Sequence, residues 1–536
     1  MNAPVTHGDL LPKVSPAEVR EELAARREIV LVDLREEAPF AEGHPLWAAN
    51  FPLGRLELEV YRRIPRRDTR IVLYGEEDGR SLGGPAAQRL RELGYDNVQL
   101  LDGDLDGWRA SGGEIFIDVN VPSKAFGELV EARRHTPLWD AAVVKELIDR
   151  GENIVVLDAR RFDEYQTMSI PTAISVPGAE LVLRVGELAP DPQTTVIVNC
   201  AGRTRSIIGT QSLINAGIPN KVAGLRNGTI GWTLSGQVLD HGAARQFPQV
   251  SDAVREAAHS RAVAVAEKAG VRRISFDEVA ALEPGRTLYR FDVRTHEEYV
   301  QGHLPGFIHA PGGQLVQETD HYAPVRGARI VLSDDDGVRA AMSASWLAQM
   351  GWDVFIVEPS EGRPVELGEG RQVLPDFPKV ESVRAFHLSQ WLGLGRTVAV
   401  LDVTKSANYV RGHIPGAHFV LRQQLAAAIA ILPEPEQFVV TCQSGTLAKF
   451  AAADLGALTE RPVKVLEGGT AAWIAAGLSV ETGETSLLSP RIDRYRRPYE
   501  GTDAPVAAME AYLEWEYGLV SQLDRDGTHN FNVLEG

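Results

Sequence analysis

The stretch Thr195-Val-Ile-Val-Asn-Cys200-Ala-Gly-Arg-Thr-Arg-Ser206 is an apolar, β-branched run that ends on a cysteine and continues into a basic turn. The run predicts a strand, and apolar residues recur at roughly helical spacing over 207–214, which predicts a following helix. Backbone N–H groups at a helix start stabilise anions, and Arg203 and Arg205 add positive charge. The sequence thus predicts a nucleophile loop in which the pKa of the Cys200 thiol is lowered.

A lone cysteine is more often a small buried hydrophobe than a nucleophile. The flanks of Cys200 argue against that interpretation, because a core cysteine has no use for two arginines and a glycine within five positions. The other cysteine, Cys442, ends the similar apolar run Phe438-Val-Val-Thr-Cys442. Two cysteines in 536 residues indicate two thiols used singly rather than a disulfide framework.

Self-comparison of the chain reveals one unit repeated four times. Each unit opens with an apolar strand that ends in an aspartate, and these strands are Ile29–Asp33, Ile154–Asp158, Leu288–Asp292 and Val398–Asp402. A second apolar strand leads to the nucleophile position, which is occupied in turn by Gly75, Cys200, Asp334 and Cys442. Strands that alternate with amphipathic helices predict a small, mostly parallel sheet with helices on both faces in each unit.

Shorter motifs recur around these strands. The third unit has Glu298-Tyr-Val-Gln-Gly-His303-Leu-Pro-Gly306 and the fourth has Asn408-Tyr-Val-Arg-Gly-His413-Ile-Pro-Gly416. The second unit keeps Glu164-Tyr165 but has Met168-Ser169 in place of Gly-His. We predict that the histidine fixes a loop rather than takes part in chemistry. The first three units also have an arginine two residues after the strand-ending aspartate, and we predict structural ion pairs for Asp33/Arg35, Asp158/Arg160 and Asp292/Arg294.

These motifs in combination resemble the rhodanese sulfurtransferases, which share the strand–Cys-x-x-x-x-Arg–helix loop, the Glu-Tyr-x-x-Gly-His turn and a closing Gly-Gly-x-x-x-Trp element. The resemblance covers roughly residues 12–485. It implies an α/β fold of four tandem rhodanese-like domains, each a small, mostly parallel sheet flanked by helices. The expected bounds are 12–121 (no cysteine, inactive), 130–241 (Cys200, active), 271–376 (no cysteine, inactive) and 382–485 (Cys442, active or vestigial). A C-terminal tail, 486–536, follows with a helix predicted over 506–522.

The resemblance implies sulfur transfer through a cysteine persulfide, with Cys200 and Cys442 as the nucleophiles. In the second unit, the predicted donor-binding residues are Ala201, Gly202, Arg203, Thr204, Arg205 and Ser206, with backbone N–H groups as an anion site and the guanidinium groups holding the departing anion. In the fourth unit they are Gln443, Ser444, Gly445 and Thr446, a loop without arginine that is similar to loops of mercaptopyruvate-using members.

Composition limits the partners. A net charge of −18 argues against broad nucleic-acid or anionic-membrane binding. No stretch approaches the roughly 20 apolar residues of a membrane span. The N-terminus has no charged segment followed by an apolar block, so we expect no secretory signal and a cytoplasmic protein. No cofactor other than the covalent persulfide and no metal is expected, and the oligomeric state stays open.

Three functions remain in competition. The first is a sulfurtransferase that moves a sulfane sulfur from a small anionic donor, such as thiosulfate or 3-mercaptopyruvate, to a thiol or cyanide-like acceptor. The second is a sulfur-relay or redox-sensing interaction module that is loaded by a protein donor. The third is a Cys-x5-Arg phosphatase or arsenate reductase, which is disfavoured because Cys200 to Arg205 closes in six residues and Ser206 occupies the seventh position.

Overall fold

The computed structural model describes residues 11–535 except Asp78, residues 359–361 and Arg363. Each of the four units contains a five-stranded sheet in which neighbouring strands run parallel. The α/β class and the four-unit organisation are therefore as the sequence predicts. The expectation about a secretory signal concerns residues 1–10, which lie outside the described residues.

The first unit forms its sheet in the order β3-β2-β4-β7-β1. Its strands are β1 (Lys13–Val14), β2 (Ile29–Asp33), β3 (Ala48–Asn50), β4 (Arg70–Tyr74) and β7 (Val98–Leu101), with a small hairpin of β5 (Glu76–Glu77) and β6 (Arg80–Ser81). Its helices are α1 (Pro16–Ala24), α2 (Glu37–Glu42), α3 (Leu56–Arg63), α4 (Gly83–Glu92) and α5 (Asp104–Ala110). Helix α6 (Val121–Arg134) connects it to the second unit.

The second unit repeats the order as β10-β9-β11-β12-β8. Its strands are β8 (Leu138–Trp139), β9 (Ile154–Asp158), β10 (Ile174–Ser175), β11 (Thr195–Asn199) and β12 (Val222–Leu225). Its helices are α7 (Ala141–Asp149), α8 (Phe162–Thr167), α9 (Leu181–Leu188), α10 (Thr204–Asn215) and α11 (Gly228–Leu234), and α12 (Asp252–Lys268) leads onward. The predicted strand before Cys200 is β11, which is central in its sheet and buried from Val196 to Asn199.

The third unit forms β15-β14-β16-β17-β13 and the fourth forms β20-β19-β21-β22-β18. The third has β13 (Arg272–Ile274), β14 (Leu288–Asp292), β15 (Ile308–His309), β16 (Arg329–Ser333) and β17 (Asp353–Val357), with α13 (His296–Gln301), α14 (Gly312–Gln317), α15 (Thr319–Tyr322) and α16 (Arg339–Gln349). The fourth has β18 (Glu381–Val383), β19 (Val398–Asp402), β20 (His418–Phe419), β21 (Gln437–Thr441) and β22 (Val463–Leu466), with α17 (Ala385–Gly393), α18 (Ser406–Arg411), α19 (Leu425–Ile431), α20 (Thr446–Gly456) and α21 (Gly469–Ala475).

The units associate through equivalent elements. The short 3-10 helix Leu53–Arg55 of the first unit contacts Arg422–Gln424 of the fourth, and Gly178–Glu180 of the second contacts α14 of the third. Buried ion pairs span both contacts, Arg422 to Glu57 at 2.7 Å and Arg339 to Glu180 at 3.0 Å. The first unit therefore pairs with the fourth as the second pairs with the third.

The C-terminal tail ties the units together. Its helix α22 (Val506–Asp526) is four residues longer than predicted and ends at Gly527, which has φ +68°. It packs on α6 of the interunit connection. The chain beyond it accepts a hydrogen bond from Trp47 of the first unit and donates one from Asn532 to Gln349 of the third. None of the helices in the described residues is long and apolar enough to cross a membrane.

Candidate active site

Cys200 lies directly after β11, in the turn that leads to α10 at Thr204. The carboxyl ends of parallel strands are where ligands bind in open α/β sheets. The turn is held from below by α11, because Thr229 N donates to the Cys200 carbonyl at 2.9 Å and Ile230 N donates to Ala201 at 3.0 Å. Gly228 makes this approach possible, since a Cβ there would lie 2.2 Å from the Cys200 carbonyl oxygen. The closing glycine motif therefore supports the cysteine loop.

The Cys200 thiol is buried, with 2% of the residue exposed. Its Sγ donates to Ser206 Oγ at 3.4 Å, and that hydroxyl donates to the Arg203 carbonyl. Burial raises the pKa of Cys200, although Arg205 and the hydrogen bonds of Ser206 act in the opposite direction. The predicted lowering of the pKa was wrong in its net direction, because loss of water around the sulfur outweighs the nearby positive charge.

Arg205 is the loop arginine that acts on the sulfur. Its guanidinium donates two hydrogen bonds to Glu164, at 2.8 Å and 2.7 Å, and interacts electrostatically with Cys200. Burial disfavours the Glu164 carboxylate, but Arg205 outweighs it and lowers the pKa of Glu164 to about 2. Arg205 also lines a polar cavity of about 360 Å³, to which arginines from the second unit, the fourth unit and the tail contribute: Arg160, Arg161, Arg411, Arg494 and Arg497.

Arg203 has a different environment from the one predicted. Its guanidinium pairs with Glu128 of α6 at 2.7 Å and also with Glu131. The ring of Tyr517 lies 4.2 Å from it, and Asn227 Oδ1 accepts a hydrogen bond at 3.2 Å. The positive charge of Arg203 is thus matched by two carboxylates, because α6 follows the first unit and delivers its acidic side chains to this loop.

The remaining predicted residues of this loop have structural contacts. Ala201 is buried, and Gly202 lies against α22 of the tail. Thr204 begins α10 and packs on Gly127 of α6, where a Cβ would lie 2.9 Å from its methyl group. Backbone N–H groups of this loop were predicted to stabilise an anion. The backbone N–H of Ser206 does so, because its hydrogen bond favours the thiolate form of Cys200.

Cys442 occupies the equivalent position between β21 and α20 and is 4% exposed. Burial raises the pKa of Cys442, and backbone N–H groups of Ala448, Ser444 and Gly445 oppose that shift. Leu447 stands where the second unit has Arg205. Lys449 lies over the ring of Phe377 at 4.2 Å.

The loop after Cys442 borders an open cavity of about 640 Å³. The predicted residues Ser444, Gly445 and Thr446 line it together with Lys449 and the interunit segment 377–382. Gln443 contributes its carbonyl, which accepts from Ala471 N at 3.0 Å and ties the loop to α21. The loop of the fourth unit therefore borders a wide cavity, and neither the loop nor the lining of this cavity contains an arginine.

The cysteine-free units differ from each other. Gly75 has φ +135° and its N–H donates to Asp104 at 2.9 Å. Asp334 accepts backbone hydrogen bonds from Gly337 at 3.0 Å and Ala340 at 2.8 Å, so its carboxylate occupies the anion site of the third unit. Burial and the neighbouring Asp336 raise the pKa of Asp334.

The recurring histidines fix loops, as predicted. His303 stacks on Tyr299 with ring centroids 3.9 Å apart, and His413 stacks on Tyr409 at 3.7 Å. The Asp–Arg pairs are also structural. The salt bridges Asp33–Arg35, Asp158–Arg160 and Asp292–Arg294 measure 2.6 Å, 2.7 Å and 2.6 Å, and the aspartate of each is fully buried.

Several residues of these sites escaped the sequence analysis. Arg339 stands at the sixth loop position of the third unit and pairs with Glu298 as Arg205 pairs with Glu164. Arg339 follows Asp334 at the same spacing as Arg205 follows Cys200, and this spacing was sufficient to identify it. Glu516 of α22 had no such signal, because more than 300 residues separate it from Cys200. Among the described residues, no group of three or more histidine, cysteine, aspartate or glutamate side chains could hold a metal ion.

The repeated sheet and the cysteine loop define a protein built from rhodanese-like domains. The family model of the rhodanese-like domain matches four segments of the sequence, residues 15–111, 140–235, 277–360 and 387–476. The chain belongs to this family.

Individual relatives share these units to different extents. The crystal structure of a thiosulfate sulfurtransferase from Pseudomonas aeruginosa is 61% identical, covers 98% of this chain and 100% of its own, and superposes with a TM-score of 0.96. An HTH-type transcriptional regulator from Mycobacterium tuberculosis is 33% identical over 106 residues, which are 19% of this chain and 46% of the regulator. Protein YqhL of Bacillus subtilis is 37% identical over 92 residues, or 17% of this chain and 68% of its own. The chain thus spans less than half of the length of the regulator.

Proposed function

We propose that the protein is a sulfurtransferase in which Cys200 carries the sulfur. The supporting observation is the position of Cys200 at the end of a central parallel strand and beside Arg205. Arg205 in turn lines a polar cavity that contains further arginines together with carboxylates. A donor such as thiosulfate would enter as a dianion, and planar guanidinium groups suit its oxygens. The likeness to the Pseudomonas aeruginosa protein supports the same assignment.

The proposed reaction has two steps. The Cys200 thiolate attacks the outer sulfur of thiosulfate, so that a bond forms between the two sulfur atoms and the sulfur–sulfur bond of thiosulfate breaks. The electron pair of that bond leaves with sulfite, and a persulfide remains on Cys200. A thiol or cyanide-like acceptor then attacks the outer persulfide sulfur and restores the Cys200 thiolate. Burial raises the pKa of Cys200 and so favours the thiol over the thiolate. The thiol must therefore lose its proton before the first step.

Cys442 is proposed as a second sulfur site with a different donor preference. Its loop lacks arginine but opens onto the larger cavity, which favours a donor recognised by shape and backbone N–H groups, such as 3-mercaptopyruvate. A relay loaded by a protein donor is the alternative for both cysteines. Two unpaired thiols fit a reducing compartment, so a cytoplasmic location is part of the proposal.

Intact mass after incubation with thiosulfate tests the assignment. We expect one additional sulfur on the wild type and on Cys442→Ser, and none on Cys200→Ser, because a serine hydroxyl cannot form the persulfide. Loading with 3-mercaptopyruvate should instead be lost in Cys442→Ser. Thiosulfate loading of Cys200→Ser at the wild-type rate would refute the role of Cys200. Loading that requires a persulfidated protein donor would favour the relay.

A further inference from the structure

The C-terminal helix α22 lies against the loop that follows Cys200. Gly202 is in such close contact that a Cβ there would lie 3.1 Å from Tyr512 Cε1 and 3.3 Å from Glu516 Oε2. Neither residue belongs to a rhodanese-like unit, since both lie in the tail beyond the last matched segment. The cysteine loop of the second unit is therefore completed by a part of the chain outside that unit.

Glu516 is fully buried, and its two carboxylate oxygens differ. Oε1 accepts a hydrogen bond from Tyr512 at 2.8 Å. Oε2, the oxygen close to Gly202, has no hydrogen-bond partner among the described residues. A buried polar atom without a partner is costly unless a ligand, water or proton satisfies it. Oε2 is thus an unpartnered polar group beside the loop that follows Cys200.

The charged groups around Glu516 come from two elements. Lys124 and Glu128 are on α6, and Arg203 is in the cysteine loop. Both cations are already paired, Lys124 with Asp118 at 2.7 Å and Arg203 with Glu128 at 2.7 Å. Glu516 makes no salt bridge with any described residue.

This environment favours the neutral form of Glu516. Burial and the negative charge of Glu128 raise the pKa of Glu516 to about 8, against the opposing effects of Lys124, the Tyr512 hydroxyl and Arg203. The carboxyl is therefore mostly protonated at neutral pH and becomes charged in mildly alkaline solution.

We propose that Glu516 is a specificity-determining residue of the Cys200 site, which sets the charge that an anionic sulfur donor meets at Gly202. Protonated Glu516 adds no charge and leaves Oε2 able to donate a hydrogen bond to the anion. Ionised Glu516 repels the anion and also disfavours the Cys200 thiolate. Access of anions to Cys200 should accordingly fall as the pH rises through the pKa of Glu516. This inference rests on the proposed use of Cys200 with anionic donors.

The charge at the loop can be measured without relying on sulfur transfer. In a Cys442→Ser background, Cys200 is alkylated with anionic iodoacetate and, separately, with neutral iodoacetamide. Both reagents react only with the thiolate. The rate constant for iodoacetate divided by that for iodoacetamide is therefore independent of the fraction of Cys200 that is ionised. We expect this ratio to fall at least about fivefold between about pH 6.5 and about pH 9.5, since one added charge acts on one reagent only.

Variants assign the effect to Glu516. Glu516→Gln should keep the ratio constant within about twofold, and Glu514→Gln, an exposed position on the same helix, should behave as the wild type. Tyr512→Phe removes a hydrogen bond that favours the carboxylate, so the fall should move to higher pH. Because Tyr512→Phe is a mild change, it tests the inference even if Glu516→Gln does not fold. A constant ratio in the wild type, or an unshifted fall in Tyr512→Phe, would overturn the inference.

Kinetics with thiosulfate separate this inference from the proposed function. The ratio of kcat/KM for Glu516→Gln to that of the wild type should rise by about fivefold over the same pH range. If Cys200→Ser abolishes loading but this ratio stays flat, the inference fails and the function stands. If the alkylation ratio behaves as expected but thiosulfate never loads Cys200, the function fails and the role of Glu516 in selecting anions stands.

Discussion

Arg205 and Glu164 form an ion pair with two hydrogen bonds that joins the cysteine loop to α8, the helix that follows β9. The third unit repeats the pair as Arg339 and Glu298 although it has no cysteine. The pair is thus a feature of the loop architecture as well as of the site. The fourth unit has Leu447 and Asn408 at the two positions, so its loop is held without it.

Replacement of Arg205 should weaken donor binding. Arg205→Ala removes the cation that acts on Cys200, and we expect KM for thiosulfate to rise about tenfold with a smaller effect on kcat. Glu164→Gln keeps the size of the side chain but removes the negative charge that pairs with Arg205. The KM for thiosulfate should therefore not rise in this variant. Arg226→Ala, at an exposed arginine paired with Asp140, serves as the control. Steady-state kinetics decide, and a pure loss of kcat in Arg205→Ala would make it a transition-state group instead.

Cys442 should react with iodoacetamide before Cys200. A lowered pKa of Cys200, as the sequence alone predicts, would give the opposite order. However, the charge of Arg203 is matched by Glu128 and Glu131, and α22 covers the loop. The loop after Cys442 borders an open cavity. Because access and desolvation both limit thiolate chemistry, access through this cavity should outweigh the remaining effect of Arg205. Peptide mapping after brief labelling tests this, and faster labelling of Cys200 would show that charge dominates.

Local sequence was sufficient to predict the fold, because the four units share the residues that end their strands and form their turns. The position of Cys200 after a central strand, the loop-fixing role of His303 and the pairing of Asp158 with Arg160 all follow from residues close in sequence. Such contacts are set by the local geometry of strand, turn and helix.

Contacts between distant segments were not predictable in this way. The partners of Arg203 come from α6, and Glu516 reaches the loop from the tail. Their effects on charge depend on how four units and a tail associate, which no periodicity in the sequence records. The same holds for the pKa of Cys200, because desolvation depends on what covers the loop.

The fourth unit should lose stability as the pH rises towards neutrality. Asp402 is buried, with Thr404 in place of the arginine of the other units. Its carboxylate accepts hydrogen bonds from Thr404 N at 2.9 Å and, weakly, from the Thr470 hydroxyl at 3.5 Å. Burial raises the pKa of Asp402 to about 7. An unfolded aspartate has a pKa of about 4, so the folded state binds this proton more tightly.

The resulting contribution to the free energy of unfolding is fully present below about pH 4 and is lost as the pH rises to about 7, by at most about 4 kcal/mol. Asp402→Asn removes this titration, so its Tm should exceed that of the wild type at about pH 8 and approach it at about pH 5. Asp158→Asn is the contrasting variant, because it leaves the buried Arg160 without its carboxylate and should lower Tm at both pH values. Calorimetry at the two pH values decides, and an unchanged difference for Asp402→Asn would refute the assignment.

Installing a cysteine in the third unit should not create an active site. Asp334→Cys in a Cys200→Ser, Cys442→Ser background restores the thiol and retains Arg339 at the sixth loop position. Arg339, however, already pairs with Asp335, Asp336, Glu298 and Glu180, so the surroundings of the new thiol are strongly acidic. Negative charge raises a thiol pKa and repels an anionic donor. We expect no added sulfur in intact mass after incubation with thiosulfate.

The acidic loop can be tested as the cause. Adding Asp335→Ala and Asp336→Gly to Asp334→Cys reproduces the Cys-Ala-Gly sequence of 200–202 and removes two of the four carboxylates that hold Arg339. Some loading should then appear, because the guanidinium becomes available to the thiolate and the donor. Thermal unfolding of each variant verifies that the third unit is folded. Efficient loading of the single variant Asp334→Cys would show that the acidic residues do not determine inactivity, and equal inactivity of the folded triple variant would place the cause elsewhere in the unit.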